Sequence, residues 1–305
     1  MTFFSNLAPA LGRYFIGLAG ALLCVAAHAA NPADWWVDIA NDRVARVQAM
    51  LAQGADPNEL SDKGQPAIMQ AMRDGAWKVY DALAANPKTA LNAINVNRET
   101  PLMYLAVLGQ TKRAQDLIRR GAMVNRLGWT PLQYAASTGK VETARMLLAK
   151  KALVNAPAPD GTTALMMAAH SGSVAMVQLL LDHGAEVTTR NLQKLDAADW
   201  ARNNKHDALA AKLDALTDKV LKQRAALRAQ GKAPASPGTP ATGGSRQQGA
   251  SRGGSGETGT LKLEDAGTAP AGKTIPAESA GKPAPEPSSG SRYFDLDRFN
   301  EKPNP

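Results

Sequence analysis

The sequence predicts an all-α solenoid, in which short helix-turn-helix units stack side by side with turn fingers between them and a disordered tail follows. Three observations carry that prediction. Gly75, Gly109, Gly139 and Gly172 recur at intervals of 34, 30 and 33 residues. Eight residues after each glycine stands a leucine: Leu83, Leu117, Leu147 and Leu180. Four before each stands Ala71, Leu105, Ala135 or Ala168. Columns of this kind mean stacking repeats, because a unit that cannot bury its apolar face alone buries it against a copy of itself.

Each unit can be justified in order. Thr100-Pro101-Leu102 and Thr130-Pro131-Leu132 place a capping hydroxyl before a proline in the first helical turn, where a missing N–H costs least. Gly161-Thr162-Thr163-Ala164-Leu165 opens the next unit, and Ala168-Ala169-His170-Ser171-Gly172 ends its first helix. Leu179-Leu180-Leu181 fills the second helix, and Gly121-Ala122 and Gly184-Ala185 close repeats. This text resembles the ankyrin repeat. The resemblance covers residues 34–217, with about four full repeats and two caps inside a domain of residues 30–217. Asp42 and Met50 carry the register upstream, and Lys205 and Leu213 carry it downstream. The usual His after Thr-Pro-Leu is replaced by Met69, Met103, Gln133 and Met166, and the unit holding Arg126-Leu127-Gly128-Trp129 has a short turn.

The ends of the chain bear on compartment. Arg13 precedes an uncharged apolar run over residues 14–27, and Ala27-His28-Ala29 has the small-x-small form of a signal peptidase site. Residues 1–29 are therefore expected to be a signal peptide, with a periplasmic mature protein beginning at Ala30. A secreted or lipid-anchored product is the alternative, since Cys24 lies in the run, although Leu23 before it is branched. Cys24 is the only cysteine, so a chain cut after Ala29 has no disulfide and no thiol nucleophile. Residues 218–230 read as a helical extension. Residues 231–290 are Gly-, Ala-, Pro- and Ser-rich with hardly any large apolar residue, the composition of a disordered linker. Residues 291–305 form a tail in which Tyr293, Phe294, Leu296 and Phe299 make a candidate docking motif.

Composition also narrows function. A net charge of +8 raises nucleic acid as a partner, but export removes it and the Lys and Arg are not interleaved with aromatics. Weak contact of the basic tail with an anionic membrane surface is what that charge leaves. The histidines and carboxylates are not spaced for a metal or a catalytic site, so no cofactor and no enzyme is expected. The methionine row could hold Cu(I) through thioethers, but core packing accounts for it better.

A protein-binding role is what the resemblance implies, with a concave face lined by turn tips and inner-helix ends. Carried over by position, the exposed residues would be Gln65, Glu99, Trp129 and Thr162, together with the pairs before each glycine. Those pairs are Arg73 with Asp74, Val107 with Leu108, Ser137 with Thr138, and His170 with Ser171. Tyr104 and Tyr134 lie beside them. Trp129, Tyr104, Tyr134, Val107 and Leu108 are therefore the expected centre of a partner site, with Glu99, Arg73 and His170 around it. A monomeric adaptor for a protein partner is the leading reading. An immunity-type neutraliser of a toxin or enzyme, and a methionine-based metal or oxidative-stress protein, are the alternatives.

Overall fold

A computed structural model describes residues 31–231 and 262–263. The expected signal peptide, nearly all of the linker and the Tyr293–Phe299 motif fall outside these residues. Among the described residues there are twelve helices and no strand. They form six antiparallel pairs, each a short inner helix followed by a longer outer one. The pairs are α1 (Trp35–Ala40) with α2 (Val44–Ala52), α3 (Ala67–Arg73) with α4 (Trp77–Ala85), and α5 (Pro101–Val107) with α6 (Thr111–Arg119). Then come α7 (Pro131–Ser137) with α8 (Val141–Ala149), α9 (Ala164–His170) with α10 (Val174–Asp182), and α11 (Ala197–Asn203) with α12 (Asp207–Ala229).

The glycine column has one physical cause. The backbone between the two helices of each pair is left-handed: φ is +70° at Gly75, +69° at Gly109, +63° at Gly139 and +69° at Gly172. Asp42 (+52°) and Lys205 (+61°) adopt the same conformation at the ends of the stack, which fixes the register there too. At Gly172 there is a second reason. A Cβ would lie 2.5 Å from the His206 ring, whose Nε2 sits 3.1 Å from the His170 carbonyl oxygen.

Inner helices begin where the sequence placed their caps. The Thr130 and Thr163 hydroxyls accept the N–H of Gln133 and Met166 at 3.4 Å, and Asp196 does the same for Asp199 at 3.1 Å. The core runs unbroken through the stack. Ala71, Leu105, Ala135 and Ala168, and Leu83, Leu117, Leu147, Leu180 and Leu213, are all fully buried. Met69, Met103 and Met166 lie in the same core at 1 % exposure or less, so the thioether row packs between repeats.

A ladder of asparagines couples each unit to the next through the backbone. Asn92 accepts the Met123 N–H at 2.8 Å and donates to the Gly121 carbonyl at 3.1 Å. Asn58 does this for Ala90 and Lys88, Asn125 for Leu153 and Lys151, and Asn155 for Glu186 and Gly184. Asn31 clamps both groups of Asp56 in the same way. Each amide satisfies one donor and one acceptor that a turn would otherwise leave open.

The C-terminal part makes two contacts that the sequence pattern does not show. Within the helical extension expected over residues 218–230, Val220 is buried and Arg224 reaches back to Glu186 Oε2 (2.5 Å) and Thr188 Oγ1 (3.0 Å). In the stretch expected from its composition to be a linker, Leu263 is 3 % exposed and belongs to the core cluster.

Candidate protein-binding surface

The residues expected to form the partner site do come together, but inside the molecule. Tyr104 and Tyr134 are each 1 % exposed, and so is Glu99. The Tyr134 hydroxyl donates to Glu99 Oε1 at 2.6 Å, and Asn95 Nδ2 donates to Glu99 Oε2 at 2.8 Å. Gln65 Nε2 donates to the Tyr104 hydroxyl at 3.0 Å, while Gln65 Oε1 lies 3.1 Å from Asn95 Nδ2. Asn95 Oδ1 in turn accepts the Glu99 N–H at 2.9 Å. The result is a closed polar network beneath the fingers of the second to fourth units. Its members satisfy one another, which is why residues that look like surface residues are buried.

The remaining positions divide. Trp129 is half-buried and meets Tyr134 edge-on, with ring centroids 6.5 Å apart. Val107 is buried, whereas Leu108 is half-buried against the core. Gln65, Thr162 and Ser137, expected outside, are buried as well. Arg73 is exposed as expected. His170 is half-buried and lies 5.7 Å from Trp200 between ring centroids. Burial, and secondarily the charge of His206, hold its imidazole below the usual histidine value.

Gln133 resolves the question of the missing histidine. Its Oε1 accepts the Thr130 N–H at 2.8 Å, while its Nε2 donates to the carbonyls of Ala156 (3.0 Å) and Thr162 (2.9 Å). An amide at that position therefore ties one unit's helix cap to the next unit's finger.

The exposed apolar surface lies elsewhere, on the finger tips. Leu127 is 95 % exposed, Leu192 76 % and Val96 71 %, and Pro159 is exposed on the finger between α8 and α9. Each tip lies against its neighbour. A Cβ on Gly64 would lie 2.5 Å from Val96 Cγ1, one on Gly128 would lie 4.0 Å from Pro159 Cγ, and the Leu192 N–H donates to the Asp160 carbonyl at 2.9 Å. Arg126 donates to the Arg98 carbonyl across one such gap. Burial, then the nearby Arg98 guanidinium, push the Arg126 guanidinium below its ordinary value. Among the described residues neither Arg98 nor Arg126 forms an ion pair, and Lys63, Arg190 and Lys194 add cations along the same edge. The sequence carried a signal for this row. Val96, Pro159 and Leu192 each stand four residues before a helix cap (Thr100, Thr163 and Asp196), and Leu127 stands three before Thr130.

Six helix pairs, left-handed corners and finger-to-finger contacts are the geometry of a known repeat, and comparison with known proteins decides which. A family model for ankyrin repeats matches three copies over residues 109–191. The chain carries ankyrin repeats. Among curated proteins, the ankyrin stack is similar to ankyrin repeat and SAM domain-containing protein 6 of Rattus norvegicus, with 32 % identity over 134 residues. It is also similar to the E3 ubiquitin-protein ligase XBAT33 of Arabidopsis thaliana, with 34 % identity over 142 residues. The matches take in 44 % and 47 % of this chain but only 12 % and 27 % of those proteins.

Two solved structures cover the ankyrin part more fully. An ankyrin repeat domain from Acinetobacter baumannii AYE has a TM-score of 0.50 and 26 % identity, over 59 % of this chain and 97 % of that one. A chain from the complex of a predatory endopeptidase of Bdellovibrio bacteriovorus with an immunity protein has the same TM-score and identity. That match covers 58 % of this chain and 94 % of its counterpart.

Proposed function

We propose that this protein is an exported, non-catalytic adaptor that binds a partner protein along its finger tips. The observation that carries the reading is the row of Val96, Leu127, Pro159 and Leu192, exposed on four successive fingers, with the Arg98 and Arg126 guanidiniums, which form no ion pair among the described residues, on the same fingers. Apolar side chains so exposed and so aligned are costly in water unless something covers them. A matching partner presents an apolar strip with carboxylates at its margin, the cations serving mainly to steer association.

A second reading is favoured by the complex of an endopeptidase with an immunity protein among the similar structures. Here the partner is an exported peptidase that the finger edge occludes. One experiment serves both readings: capture from a periplasmic extract with the mature chain and with the Leu127→Asp/Leu192→Asp variant. Wild type is expected to retain a specific protein and the variant to lose it, by about thirtyfold or more in affinity, the scale of one central anchor. If that protein is a peptidase silenced one-to-one, the immunity reading stands. If the double variant captures as well as wild type while its circular dichroism is unchanged, the finger assignment is wrong.

Export rests on the Ala27-His28-Ala29 site. Mass spectrometry of protein purified from its native host is expected to show Ala30 at the amino terminus. An acylated Cys24 would instead make the product a lipoprotein.

A further inference from the structure

α10 differs from the other outer helices in what it presents to the outside. The position before its core leucine is Leu179, where the other full repeats have Ala82, Asp116 and Met146 and the last unit has Lys212. Leu179 is buried, although Ala82, Asp116 and Met146 are only half-buried. Two positions before the core leucine, Asp81, Gln115 and Arg145 are exposed, whereas Gln178 is half-covered. What lies against this face is the chain itself. The Leu263 N–H donates to Gln178 Oε1 at 3.0 Å, and Lys262 Nζ lies 3.1 Å from Asp182 Oδ1. Gln178 Nε2 also donates to Asp182 Oδ1, at 2.8 Å.

Asp182 supplies an independent reason for a cation here. It is the last residue of α10, where the helix dipole disfavours a carboxylate. Burial pushes its carboxyl up, but hydrogen bonds from Gln178 and Lys262 outweigh that and hold it below the ordinary carboxylate value.

We propose that the outer face of α10 is a peptide-docking site whose occupant is the chain's own Lys262-Leu263. Leucine fills the apolar part, its N–H is read by Gln178, and the preceding lysine is read by Asp182. Between Gly231 and Lys262 run 30 residues, which join the dipeptide covalently to the stack it docks on. Tethering of this kind gives an effective concentration on the order of millimolar, so a dipeptide contact too weak to hold in trans holds in cis. Over residues 231–290 the only large aliphatic residues are Leu261, Leu263 and Ile275, so Leu263 has few competitors for the site. The docking does not depend on the finger-tip reading, since it lies on the outer helices.

Hydrogen exchange on the full-length chain tests it. In wild type, amides around residue 263 are expected to exchange about tenfold or more slower than in a free peptide of the same sequence. Leu263→Ser and Asp182→Lys should each abolish that protection. Asp182→Lys suits the helix dipole, so α10 itself should stay folded. Adding Lys262→Asp to Asp182→Lys should restore protection by reversing the ion pair. Free-peptide exchange in wild type, protection that survives both single variants, or no rescue by the charge swap would each overturn the proposal.

Discussion

Replacing Leu147 by alanine is expected to lower stability by about 2 to 5 kcal/mol, the range for emptying a fully packed core position. Leu147 is fully buried in α8, between the α6 and α10 units that hold Leu117 and Leu180 in the same column. The lost methylenes cannot be recovered by collapse, because both neighbouring seams are already filled. Since each repeat is stabilised by its neighbours, the loss should lower the urea midpoint of the whole central stack. Equilibrium urea denaturation followed by circular dichroism measures it. A change under about 1 kcal/mol would mean that the seam is loosely packed.

Glu99→Ala is the second large effect, and it separates a structural role from a binding one. The substitution removes the acceptor for the Tyr134 hydroxyl and for Asn95 Nδ2, both in a buried network. Leaving two buried donors open should cost about 2 to 4 kcal/mol. Glu99→Gln, which keeps an acceptor and the shape, should cost less than half of that. The same denaturation series checks both variants. If Glu99→Ala is as stable as wild type but fails to capture a partner, Glu99 is a contact residue and the network is incidental.

The contrast between these two residues explains what could be read from the chain alone. Leu147 was legible because the stack repeats its environment: the same left-handed corner eight residues before it demands glycine each time, and the period shows in the letters. Asp42 and Lys205 kept that register legible into the end units even without glycine. Glu99, Tyr104 and Tyr134 were misread because depth has no period. Gln65, Asn95 and Glu99 are polar letters on a finger, and polarity at such a position ordinarily means water. Here Asn95 and Glu99 pair within one finger, and Gln65 reaches them from the preceding finger across the repeat interface, so that each answers another's hydrogen bond. The docked Lys262-Leu263 was illegible for a different reason, since two residues carry no pattern and their partners Asp182 and Gln178 lie 80 and 85 positions away.

The asparagine clamps and the short finger have one more consequence when taken together. From clamp to helix cap is eight residues for Asn58 to Pro66, Asn92 to Thr100 and Asn155 to Thr163, but five for Asn125 to Thr130. The three missing residues are removed from the tip alone, and the clamp of Asn125 to Leu153 and Lys151 keeps its geometry. A perfectly regular edge would be degenerate: a long partner could slide by one repeat and lose little. One truncated finger, with Leu127 standing out at its end, breaks that translational symmetry and gives the edge a single origin from which a bound chain can be counted.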